Sequence, residues 1–143
     1  MTEYYPMPMF PALAVKDIEA STAWYRDVLG FTVVFTMPGP GGASLVHLRW
    51  AKYADLMLRS GPTPEGPLGV GVVLNFAVAE NLDAIAAKAR DHGVRFVSAP
   101  ADRPWNARDF TIADPDGYSL TFTMGPLNRN LKIEDVVERV TRG

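Results

Sequence analysis

Two stretches of the chain can be laid over one another at one constant offset. Val15 falls on Val78, Asp17 on Glu80, Gly30 on Gly93 and Phe31 on Val94. Identity across the overlay is weak, yet the order of elements is the same twice: a strand, a helix, then three strands. One β-α-β-β-β unit leaves a sheet face uncovered and cannot bury it alone. Two such units can curl together around a shared concave surface, so a cleft is expected before any motif is considered. The chain has 143 residues, 48% of them apolar and 21% charged, which suffices for such a core without covalent staples. The expected class is α+β, with two βαβββ modules forming a cup-shaped mixed sheet around a cleft.

The first module is expected over residues 1–60. Residues 10–15 read as a buried strand, and DIEASTAWYRDVLG as a helix begun by Asp17. That helix spaces Ile18, Ser21, Trp24 or Tyr25, and Val28 by threes and fours. Gly30 follows as a left-handed cap. A strand is expected over 31–37, a turn or mobile loop at PGPGG (38–42), and a hairpin from 43–50 and 54–59. GPTPEGPLG at 61–69 reads as a linker, because its prolines and glycines suit neither a helix nor a central strand. The second module, 70–125, repeats the order with a strand over 70–78, a helix over 81–92 capped by Gly93, and a strand over 94–98. A loop with Pro100 and Pro104 precedes a final hairpin of 108–113 and 118–124. The tail, 126–143, ends in a short helix with Ile133, Val136, Val137 and Val140 on one face.

Several function classes are excluded early. There are no cysteines, which removes disulfides, thiol catalysis and thiolate metal sites. The formal charge is −2 and the basic residues are scattered, unlike a nucleic-acid or anionic-membrane footprint. The opening MTEYYPMPMF has neither a basic region nor an apolar run, so no signal peptide is read there. No stretch approaches the roughly 18 apolar residues of a membrane span, and a cytoplasmic location is expected. Ser21 and Ser119 have no histidine suitably placed for a triad. The glycines of PGPGG lack the lysine and the helix of a phosphate loop.

VKDIEASTAWYRDVLGF at 15–31 and DPDGYSLTF at 114–122 resemble the vicinal oxygen chelate superfamily, which contains glyoxalase I, extradiol dioxygenases and bleomycin resistance proteins. PWNARDF at 104–110 is similar to the run before the Asp-Pro turn of bleomycin resistance proteins. The resemblance covers the chain to about residue 125. It implies paired βαβββ modules, a cup-shaped cleft, and a homodimer whose clefts are completed across the interface. In metal-dependent members it also implies His, Glu or Gln ligands on cleft-facing strands. Here those positions fall on Phe10, on Val73 (or Leu74 if the register slips), on Met57 and on Thr121, which cannot assemble a divalent-ion shell. No metal or other cofactor is therefore expected, and the reading leans away from an enzyme.

His92 stands at a helix end and reads as a capping residue, whereas His47 lies in a strand and is a candidate ligand contact. Asp114 and Asp116 belong to a D-P-D-G turn, where Asp caps, Pro fixes φ and Gly takes the positive-φ position. Asp109 suits contact with a cationic group, and Arg59 an anion-orienting role. Trp105, in a Pro-flanked loop, suits the wall of a ligand site with one apolar face and one wet edge. The expected ligand-binding set is Trp105, Phe35, Met57, Thr121, Phe10, His47, Arg59, Asp109 and Phe110, with no catalytic residue. The expected function is sequestration of an aromatic, antibiotic-type small molecule. The alternative is a glyoxalase- or dioxygenase-like enzyme with a non-standard or absent metal site.

Overall fold

A computed structural model describes residues 3–143. The chain divides into two compact units, one running to Leu68 and including Pro115–Gly117, the other Gly69–Asp114 with Tyr118–Gly143.

In the first unit, α1 (Ile18–Leu29) packs on a four-stranded sheet made of β1 (Ala12–Ala14), β2 (Thr32–Gly39), β3 (Gly42–Ala51) and β4 (Ala54–Arg59). The strand order is β1-β4-β3-β2, with β1 parallel to β4 and the other pairs antiparallel. Strand alternation decides which side chains meet α1. Val46 lies opposite Leu58 and Leu48 opposite Leu56, all four buried with Leu13 and Val15. From the helix, Ile18, Tyr25, Val28 and Leu29 complete this core. Asp17 starts α1 by accepting the Ala20 N–H at 3.0 Å, and Gly30 ends it at φ +76°.

The second unit repeats the plan. β5 (Val73–Ala77), β6 (Phe96–Arg103), β7 (Ala107–Ala113) and β8 (Ser119–Met124) form a sheet in the order β5-β8-β7-β6, with α2 (Leu82–Asp91) between β5 and β6 in sequence. Its core includes a stack of Phe76, Phe122 and Phe110, with ring centroids 5.0 and 5.2 Å apart. Leu82, Ala86 and Ala89 of α2 are buried as well. A third helix, α3 (Ile133–Arg142), has no buried residue.

Three element boundaries differ from expectation for identifiable reasons. β2 runs on through Pro38, and β6 through Pro100. Both are edge strands, and each takes its proline at a break in register, where a missing N–H costs no ladder bond. PGPGG is consequently a tight hairpin end with Gly39 paired to Gly42, not a loose loop. β5 begins only at Val73. Gly69 and Gly71 adopt φ of +73° and +84°, and the turn they make leaves Val70 and Val72 exposed.

The D-P-D-G turn also carries more than its own geometry. Asp114 caps it through the Tyr118 N–H at 2.9 Å, and Gly117 takes φ +98°. Asp116, however, is a buried acceptor of the first unit. It takes the Lys16 N–H at 3.0 Å and the Ser21 hydroxyl at 3.1 Å.

Candidate functional site

The face of the first sheet turned away from α1 carries a row of four side chains. Register places Ala12 beside Met57, Met57 beside His47, and His47 beside Phe35. Three expected residues, Phe35, His47 and Met57, are thus neighbours, and the Phe35 ring meets His47 edge-on at 5.2 Å. Arg59 is exposed at the end of β4, opposite Leu45.

His47 is only 3% exposed, because a charged cluster holds it from one side. Its Nε2 lies 2.7 Å from Asp55 Oδ2, and Arg49 Nε donates to the same oxygen at 2.9 Å. The Tyr5 hydroxyl donates to Asp55 Oδ1 and accepts the Tyr53 N–H at 2.8 Å. The Arg49 guanidinium also lies 4.3 Å from the Tyr5 ring centroid. Burial by itself raises the Asp55 pKa. The hydrogen bonds from Tyr5, His47 and Arg49, with the Arg49 charge, outweigh it and hold the carboxyl below its ordinary value. Nε2 facing that carboxylate is the protonated nitrogen, and Nδ1 has no hydrogen-bond partner among the described residues.

The corresponding face of the second sheet is polar. Thr121 and Thr111 share a hydrogen bond of 2.6 Å, and Asn75 of β5 sits beside Thr121. Asp109 is committed to Arg103, whose Nε donates to it at 2.8 Å, so it is not a free contact for a cation. Phe110 corrects an expectation. It is fully buried in the aromatic stack, on the opposite face from Asp109 and Thr111, and cannot touch a surface ligand.

The metal positions need a second correction. Phe10 precedes β1 and is 40% exposed, so the strand residue beside Met57 is Ala12. Val73 pairs with Ser119, and the residue beside Thr121 is Asn75. The revised set of Ala12, Met57, Asn75 and Thr121 has neither a carboxylate nor an imidazole, and the Thr121 hydroxyl is already bonded to Thr111. A divalent ion does not fit these donors. Nor does any group of three or more His, Asp or Glu among the described residues suit one.

Trp105 occupies a different setting in the second unit. It stands in the turn between β6 and β7, 49% exposed, on the wall of a groove of about 510 Å3. Val78, Thr123, Leu131, Ile133 and Val136 line the same groove. The next residue, Asn106, takes φ +64° and is buried. Its side chain donates to the Asn128 carbonyl at 2.9 Å and accepts the Asn128 N–H at 2.8 Å. Asn106 therefore pins the start of the tail beside Trp105.

A larger groove of about 780 Å3 lies between α1 and the β2–β3 hairpin. It has no aromatic wall, and its two charges are engaged, Glu19 with the Ala43 N–H and Arg26 with Asp27. None of the expected site residues reaches it.

Sequence reasoning missed Tyr5, Arg49, Asp55 and Asn106. The first hairpin offered a signal for two of them, since pairing 43–50 with 54–59 sets Arg49 opposite Asp55 on the His47 face. Tyr5 gave none, because it lies in an irregular segment.

Comparison with known proteins places these features. The chain is 28% identical over 121 residues to a bleomycin resistance protein of Geobacillus stearothermophilus, covering 78% of this chain and 92% of that protein. Its backbone is similar to TioX from Micromonospora sp. ML1 (TM-score 0.67, 23% identity, 82% of this chain and 94% of that one). It is also similar to lactoylglutathione lyase from Agrobacterium tumefaciens (TM-score 0.64, 24% identity, 83% and 93%). The profile of the Glyoxalase/Bleomycin resistance protein/Dioxygenase superfamily matches residues 10–122. With that match over a doubled βαβββ plan, the chain belongs to the glyoxalase/bleomycin resistance protein/dioxygenase superfamily.

Proposed function

We propose that the protein binds a flat organic molecule of antibiotic type and withholds it without making or breaking a bond. The observation that carries this reading is Trp105, half-exposed on the wall of an apolar groove. About 510 Å3 falls within the usual size of small-molecule sites, roughly 300–1,000 Å3. A half-exposed indole on a groove wall suits stacking on a planar ring. The kinship with bleomycin resistance proteins supports a resistance role, and sequestration asks no catalysis of the residues present. Ala12, Met57, Asn75 and Thr121 supply no Lewis acid site, and the His47–Asp55 pair is buried under Tyr5 and Arg49. Phe35, Met57 and Arg59 form a second contact surface in this proposal, on the first sheet. A homodimer is part of the same reading, tested by light scattering.

The test is thermal denaturation with a panel of glycopeptide and planar antibiotics. At least one is expected to raise Tm, and Trp105→Ala is expected to abolish the rise. A panel that leaves Tm unmoved, or a rise that survives Trp105→Ala, overturns the reading.

A further inference from the structure

The family profile ends at residue 122, but the Trp105 groove does not. Pro126, Leu131, Ile133 and Val136 of the tail line it together with Trp105, so half its apolar wall comes from sequence outside the family pattern. The tail is held there by Asn106, whose side chain makes both bonds to the Asn128 backbone. A third bond runs from the Leu127 N–H to the Asn106 carbonyl at 3.0 Å. Beyond this anchor α3 buries nothing, and Ile133 is 70% exposed. An aliphatic side chain left this open beside an indole gains most when a third apolar surface arrives.

The chemistry of the lining narrows what that surface is. No charged side chain lines the groove. Its polar side chains are Asn106, already committed at both ends to Asn128, and Thr123, whose hydroxyl has no hydrogen-bond partner among the described residues. A cation entering here leaves water without meeting a counter-charge, which is unfavourable. An uncharged ring with one hydrogen-bonding group meets Trp105 and the tail aliphatics, and finds Thr123.

We propose that the C-terminal tail is the specificity wall of the Trp105 site, and that the site selects neutral planar aromatic molecules over cationic ones. This rests on the proposed binding role of Trp105 and adds the ligand class and the residues that set it.

The test titrates the full chain with neutral 1-aminoanthracene and with cationic ethidium, both read by probe fluorescence. Wild type is expected to bind 1-aminoanthracene at least about tenfold more tightly than ethidium. The double variant Ile133→Asp, Val136→Asp is expected to weaken 1-aminoanthracene about tenfold or more, since one lost aliphatic contact is worth about that factor. Neither residue is buried, so folding is not at risk, and a chain ending at Asn128 gives a second version of the same loss. If wild type binds neither probe, or Trp105→Ala binds both as wild type does, the underlying role of Trp105 fails. If Trp105→Ala loses 1-aminoanthracene while both tail variants bind it unchanged, the role of Trp105 stands and the tail proposal is overturned. Equal affinity for ethidium overturns the charge selectivity. A tail variant that becomes monomeric by light scattering with unchanged affinity assigns α3 to a second copy of the chain, and also overturns it.

Discussion

At the residue scale, the clearest energetic commitment is Asp55. Three donors converge on its carboxylate, from Tyr5, His47 and Arg49. Asp55→Ala strands all three and is predicted to cost about 3–5 kcal/mol, as for a buried ion pair with one partner removed. Chemical denaturation of the two proteins measures it. The pH dependence follows from the direction of the shift. Asp55 is held below its ordinary value of 3.8, so its contribution is complete above that pH and is lost on acidification through the lower folded value. The gap between wild type and Asp55→Ala is therefore predicted to shrink as the pH falls below about 4, where the unfolded chain's carboxyl takes up its proton first. A gap that narrows between pH 7 and 5 contradicts the assignment. Phe35, His47 and Met57 were singled out in the sequence separately, Phe35 and Met57 through the family resemblance, and only the pairing of β2, β3 and β4 sets them in a row. The lid over that row was not legible in the sequence, since Tyr5 reaches Asp55 from fifty positions away in a segment without periodicity.

At the element scale, the small turn after β6 does two jobs with adjacent residues. Trp105 faces the groove, while Asn106 adopts a left-handed backbone and binds the tail. Asn106→Ala loses both the tolerated φ and two side-chain bonds, and is predicted to cost about 1–3 kcal/mol. Hydrogen exchange is expected to show its effect first over residues 127–142, with the β7–β8 hairpin unaffected. Asp116 plays a parallel part in the first unit. Asp116→Ala is predicted to destabilise by about 1–3 kcal/mol, because the Lys16 N–H and the buried Ser21 hydroxyl lose their acceptor. Turn chemistry was readable for Asp114, whose partner is four residues away. It was misleading for Asp116, whose partners Lys16 and Ser21 lie 100 and 95 positions back, beyond the reach of any local rule. The prolines of β2 and β6 teach a similar lesson. Pro38 and Pro100 read as strand breakers until the sheet order shows that both strands are edges.

At the scale of the whole molecule, the repeat was the strongest signal in the sequence, and it survives as two sheets with the same strand order. What the repeat does not copy is informative. The first sheet buries a charged cluster on the face where the second displays threonines, and neither provides the donors of a metal centre. Ligand binding is accordingly predicted to be indifferent to chelator, with the same Tm shift before and after dialysis against EDTA. The most direct test of the account is the mass of a bound antibiotic recovered after incubation. The protein is incubated with a compound that raises its Tm, with and without added divalent metal, then denatured and its ligand weighed by mass spectrometry. Full recovery at unchanged mass is expected in both cases. A product whose formation requires the folded protein contradicts it.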